Sequence, residues 1–140
     1  MKRLLVIITG LAALALVAGA LATAAPANNA TVVIRHQLQH CHTWSFDGGK
    51  FVANAKGTVA RGGLIVFTNN DVMSHELSQK SGPSVVFASS PRMGHMGATT
   101  VVVFPKAGTY VFGTKPGQDY MNGVKTIGAD NVLTLRVVVR

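Results

Sequence analysis

From residue 31 onward, short runs of β-branched and aromatic residues are cut at close intervals by glycine, proline, asparagine and aspartate, with no apolar period of a helix. A chain punctuated in this way cannot build a helical bundle or a βαβ fold. Runs at 51–59, 64–68, 76–79, 84–88, 99–104, 109–112 and 132–139 each read as a strand. Asp47-Gly48-Gly49, Arg61-Gly62-Gly63, Ser81-Gly82-Pro83 and Pro105-Lys106-Ala107-Gly108 read as the turns between them. Residues 113–130 are glycine-rich without a period and read as a long loop. With an opening strand before Asp47, about eight strands result, which predicts an all-β fold, a Greek-key β-sandwich.

The start of the chain has a different character. Met1-Lys2-Arg3 is a positive n-region, residues 4–22 are an almost unbroken apolar run, and Ala22-Thr23-Ala24 has the small residues of a cleavage site. This predicts a secretory signal at 1–24, a short tether at 25–30 and a folded domain at 31–140, exported to a periplasm, the cell envelope or the medium. An uncleaved anchor is the competing reading, since the run approaches the roughly 20 residues that span a bilayer. The membrane is a partner only in that case.

The chain carries 13 basic and 5 acidic residues, a formal net charge of +8. Without Lys2 and Arg3 the surplus is about +6, which suits an anionic cell-envelope polymer or lipid headgroups as partner, though a solvated surface is the commoner reading of scattered bases. The bases stand singly, without a run or interleaved aromatics, so nucleic-acid binding is not predicted.

The opening strand concentrates metal-ligand chemistry. His36, His40 and His42 lie between residues 31 and 46, together with Cys41, the chain's one cysteine, and Trp44, its one tryptophan. Val32, Ile34, His36, Leu38, His40, His42, Trp44 and Phe46 share one parity, which predicts one strand with all three imidazoles facing inward and Cys41 outward. An inward imidazole needs a hydrogen-bond partner or a metal for each ring nitrogen. His40 and His42, at i and i+2, are close enough on one face to reach the same ion. A single cysteine in an exported chain cannot make an internal disulfide, which favours Cys41 as a thiolate ligand over an idle thiol. Met73, Met93, His95 and Met96 form a second group of soft donors able to collect cuprous ion, though a flexible loop with two surface methionines is the commoner reading of such a stretch.

Two stretches resemble the cupredoxin family, the small exported copper proteins related to plastocyanin and azurin. Gly63-Leu64-Ile65-Val66-Phe67-Thr68-Asn69-Asn70-Asp71-Val72-Met73-Ser74-His75 is similar to the family segment that leads to its first histidine ligand. Gly108-Thr109-Tyr110-Val111-Phe112-Gly113-Thr114 and Met121-Asn122-Gly123 are similar to the segment that carries its cysteine, second histidine and methionine. Thr114, however, stands where the family has its cysteine, and residues 115–118 offer no histidine. A threonine hydroxyl cannot replace a thiolate at copper, so the usual blue-copper centre cannot form as usually ligated.

The resemblance implies a copper site in which the opening strand replaces the lost ligands: His40, Cys41 and His42, with His75 and Met121 in the family positions. Zinc can use the same donors. Because Cys41 lies on the opposite parity from its neighbours, the strand must bulge or end near His40 for sulfur and imidazole to share an ion. Without such a break the site reduces to His40, His42 and His75. The function implied is electron transfer or copper storage and delivery, with a redox or copper-receiving protein as partner. The alternative is a metal-free binding module at the cell envelope, in which His40 and His42 are satisfied by backbone carbonyls. No nucleophile, base and orienting group recur together, so an enzyme is not predicted.

Overall fold

The computed structural model describes residues 27–119 and 122–140. Among them the chain is all-β, with nine strands. These are β1 (Ala27–His36), β2 (His42–Phe46), β3 (Asn54–Asn70), β4 (Met73–Ser81), β5 (Val86–Phe87), β6 (Arg92–Met93), β7 (Thr99–Val103), β8 (Gly108–Asp119) and β9 (Thr134–Val139). No helix among the described residues is long and apolar enough to cross a membrane. The leader at 1–24 lies outside the described residues, and β1 opens at Ala27, inside the stretch expected as a tether.

The strands follow the order β2-β1-β3-β9-β8-β4-β6, with β7 on the free flank of β3 and β5 beyond β7. The length of β3 lets it serve both halves of this sheet. Its residues 54–59 run parallel to β9, while residues 64–70 run parallel to β1 and 64–68 antiparallel to β7. The sheet curls until the two halves face each other: Phe67 from the second part of β3 meets Phe112 of β8 with ring centroids 5.9 Å apart. Alternation fills the space between the halves. Val32 and Ile34 from β1, Ile65 and Phe67 from β3, Leu77 from β4, Tyr110 and Phe112 from β8, and Leu135 and Val137 from β9 are all buried in one apolar cluster.

Three sequence expectations change. Arg61-Gly62-Gly63 does not end a strand. β3 runs through it on a bulge, with Gly62 at φ 79°, while the pairing to β1 jumps from Val59 to Leu64. The expected loop after residue 112 begins seven residues later, because β4 starts at Met73 and supplies backbone partners to β8 as far as Asp119.

The third change shapes the site. The expected single strand through His36, His40 and His42 is a hairpin instead: β1 ends at His36, residues 37–41 turn, and β2 returns antiparallel with His42 opposite His36. His40 and Cys41 hold φ values of 62° and 63°, the left-handed region that costs a residue with a Cβ about 1 kcal/mol or more. Backbone bonds hold the turn, with Gln37 N–H donating to Cys41 O at 2.6 Å and His42 N–H to His40 O at 2.7 Å.

Close packing also sets a limit beside this hairpin. A Cβ on Gly57 of β3 would overlap the Phe46 ring of β2. Gly57→Val is therefore expected to expel that ring and lower stability by about 1–3 kcal/mol. Urea denaturation reads the loss, and an unchanged midpoint would contradict the packing.

Candidate metal centre

Three segments meet at one end of the sandwich. β4 places His75 inward because it shares parity with buried Leu77. The turn between β3 and β4 presents Asp71, held by its neighbour Asn69. Asn69 is fully buried; its Nδ2 donates to the carbonyls of Met73 at 2.8 Å and Met93 at 3.1 Å, and its Oδ1 accepts Asp71 N–H at 2.9 Å. The β1–β2 hairpin then brings His36, Cys41 and His42 against this turn.

Asp71 is the hub. Its side chain is buried, and Oδ1 accepts Val72 N–H at 2.6 Å while Oδ2 accepts His75 Nε2–H at 3.0 Å. His36 Nδ1 lies 3.6 Å from Oδ1, and His42 Nδ1 lies 4.0 Å from Oδ2. Among the described residues, His42, Asp71 and His75 each bring a ligand atom within 4.8 Å of the others, and all three are buried. The His42 and His75 rings meet edge to face, with centroids 5.2 Å apart.

Backbone carbonyls of the late loop fix the histidines of the hairpin. His42 Nε2–H donates to Asn131 O at 2.7 Å, and Asn131 Nδ2 returns a bond to His42 O at 3.0 Å. Nε2 therefore carries the proton, and the lone pair of Nδ1 faces the carboxylate. No described group hydrogen-bonds to this buried Nδ1, nor to Nδ1 of His75. A lone pair pointed at a carboxylate from 4.0 Å, away from water, lacks a positive partner between them. A metal cation fits there, with the carbonyl of Asn131 holding the ring in the ligating tautomer.

Sulfur lies on the adjoining side. Cys41 is 4% exposed, and its Sγ is 3.2 Å from Met73 Sδ and 4.0 Å from His36 Nδ1. The donor set near Asp71 thus combines imidazole, carboxylate, thiol and thioether, which suits copper in either oxidation state and also zinc.

Of the residues expected from sequence, His42, His75 and Cys41 come together here. His40 does not join them: its ring is exposed, and Nδ1–H donates to Ala129 O at 3.0 Å. The turn at 37–41 rotates it off the face it would share with His42 on a continuous strand. The site of His40, His42 and His75 therefore does not assemble as such. Met121 lies outside the described residues. Thr114 pairs with Leu77 and Pro116 with His75, so Thr114 lies two residues along β8 from the residue opposite His75. Met93 belongs to the apolar core, while His95 and Met96 are exposed.

Asp71, His36 and Met73 join the cluster although none was expected as a ligand of this site; Met73 stood in the second group of soft donors. An inward His36 was legible from parity, but only the hairpin brings it to Cys41. Asp71 reads in sequence as a turn residue after Asn69-Asn70, and the signal that marks it is its place four residues before His75. Beyond His75, a cleft of about 220 Å³ is lined by Ser74, Glu76, Arg92 and Lys115, giving that end of the molecule a cationic rim.

Burial lowers the pKa of His42 below its ordinary 6.5, against the hydrogen bond to Asn131 and the charge of Asp71, which act to raise it. The unfolded chain therefore binds a proton at this ring before the folded one does. Metal-free protein is expected to lose stability as the pH falls below about 6.5, with a shallower slope in His42→Gln. Thermal melts between pH 7.5 and 5 check this; identical slopes in the two proteins would contradict it.

The fold and cluster together define a class, an all-β domain with a buried imidazole and carboxylate centre flanked by sulfur. Searches for relatives give likenesses of fold only. No family model matches the chain, and no curated protein matches its sequence. Amicyanin from Paracoccus versutus is similar over 79% of this chain and 81% of its own, at 15% identity and a TM-score of 0.44. An inclusion body protein from Burkholderia cenocepacia is similar over 86% of this chain and 99% of its own, at 9% identity and a TM-score of 0.48. A laccase-like multi-copper oxidase from Ochrobactrum sp. is similar over 81% of this chain and 31% of its own, at 12% identity and a TM-score of 0.49. At such identities and scores these likenesses do not bear on what the chain does.

Proposed function

We propose that this is an exported, cupredoxin-like copper-binding protein whose metal is held by His42, His75 and Asp71, with Cys41 and Met73 at the edge of the site. The observation that carries the reading is the buried Nδ1 of His42, which has no hydrogen-bond partner among the described residues, is fixed by Asn131 and faces a carboxylate. Copper supplies a one-electron couple when bound. The protein's own residues keep water from the donors, since His42, Asp71 and His75 are all buried, and they hold the rings in fixed tautomers. A closed donor set favours electron transfer over delivery, because burial of His42, Asp71 and His75 shields the ion from a protein that would receive it. The leader at 1–24 is the ground for export, and a redox protein is the proposed partner.

A second reading keeps some support. Carbonyl groups do satisfy one nitrogen each of His40 and His42, as a metal-free binding module requires. Voltammetry after loading with one equivalent of Cu(II) separates the readings. A reversible couple is the expected result. Stable loading without a reversible couple would leave storage or delivery, and failure to load would leave the metal-free module.

A further inference from the structure

We propose that the centre has two poles with different ion preferences: a soft pole of Cys41, Met73 and His36 for a monovalent d¹⁰ ion, and a pole of His42, Asp71 and His75 for a divalent ion. The inference rests on the copper reading above and deepens it.

The donors divide by chemistry and by position. Cys41 Sγ and Met73 Sδ are 3.2 Å apart, and His36 Nδ1 is 4.0 Å from the thiol. Two donors that each bind one ion at about 2.3 Å can lie up to about 4.6 Å apart, so both contacts fit a shared ion. Thiolate and thioether select cuprous or silver ion, whereas carboxylate and imidazole suit divalent ions. The carboxylate of Asp71 is turned to His42 and His75, within 4.8 Å, and the Cys41 thiol is not in that group. His36 Nδ1 adjoins both poles, 3.6 Å from Asp71 Oδ1 and 4.0 Å from Cys41 Sγ. The poles also draw on different positions: the end of β1, the turn at 37–41 and the first residue of β4 supply the soft pole, and the start of β2, the turn before β4 and the third residue of β4 supply the other. Cu(I) and Cu(II) would then rest on different donors of one site, with His36 common to their border.

Redox-inert probes test this on the whole chain. Ag(I) and Co(II) are titrated separately by calorimetry, with alkylation of Cys41 and visible absorption as further readouts. Ag(I) is expected to protect Cys41 from alkylation, and Met73→Leu to weaken Ag(I) by about tenfold or more while leaving Co(II) nearly unchanged. Asp71→Asn is expected to do the reverse. In the unaltered protein, Co(II) is expected to give ligand-field bands without a strong thiolate charge-transfer band, and to leave the slow alkylation of buried Cys41 at its metal-free rate. Co(II) that protects Cys41, or variants that weaken both ions alike, would overturn the two-pole proposal while the metal site stands. If neither ion binds the unaltered protein, the copper reading itself fails. Because the alkylation and absorption arms need no variant, a misfolded substitution leaves the test intact.

Discussion

Asp71→Ala is expected to lower the unfolding free energy by about 3 kcal/mol, through loss of a buried group that several partners use at once. The substitution strands Val72 N–H, which donates at 2.6 Å, and His75 Nε2–H, which donates at 3.0 Å, both away from water. It also removes the anion between His36 and His42. Asp71→Asn should behave differently. Its carbonyl oxygen can still accept from Val72, and His75 can take the other tautomer and accept from the new amide. Stability should then return to within about 1 kcal/mol of the original, while divalent affinity stays about 10- to 100-fold down because the negative charge is gone. Denaturant midpoints and Cu(II) titrations of the two variants check the split. Equal affinity in Asp71→Asn and the unaltered protein would show that the carboxylate acts only as a hydrogen-bond acceptor.

Trp44→Ala has an equally large effect by another route. Trp44 is fully buried on β2, where its indole N–H donates to Ala53 O at 3.2 Å and its backbone exchanges bonds with Val52. Truncation opens a large cavity and leaves a carbonyl without its donor, at a cost of about 3–5 kcal/mol. A domain of this size has only about 5–15 kcal/mol in hand. The hairpin should loosen first, and since β2 also carries His42, metal affinity should fall along with stability. Trp44→Phe keeps most of the ring and should recover much of the loss. Because Trp44 is the only tryptophan, circular dichroism and not fluorescence must follow these melts. A Trp44→Ala protein that melts like the original would place the core elsewhere.

The strands were legible because alternation survives in most of them. Val32 and Ile34 are buried at the parity the sequence predicts, and Ile65, Phe67, Leu135 and Val137 are buried within runs read as strands. His75 was legible as well, through the segment that begins at Gly63. The hairpin at 37–41 was not. Leu38 and His40 keep the apolar parity across the break, yet both are exposed, and the left-handed conformations fall on His40 and Cys41 instead of on glycine. The pattern carried no sign of the turn. Asp71 escaped for a related reason, since a carboxylate after two asparagines is common turn chemistry. Only the tertiary contact between that turn and the hairpin makes it the centre of a cluster. β3 ran past its glycine pair because a bulge absorbed the extra residues, and a bulge is invisible to a two-residue period.

The central claim is that His42 offers Nδ1 to a metal between itself, Asp71 and His75. A Cu(II) titration followed by electron paramagnetic resonance tests it most directly, run on the unaltered protein and on His42→Gln with its fold verified by circular dichroism. The account predicts one tightly held Cu(II) per chain with hyperfine coupling to imidazole nitrogen, and loss of both the tight binding and the His42 coupling in the variant. The same stoichiometry and spectrum in the two proteins, or no tight binding in either, would contradict it.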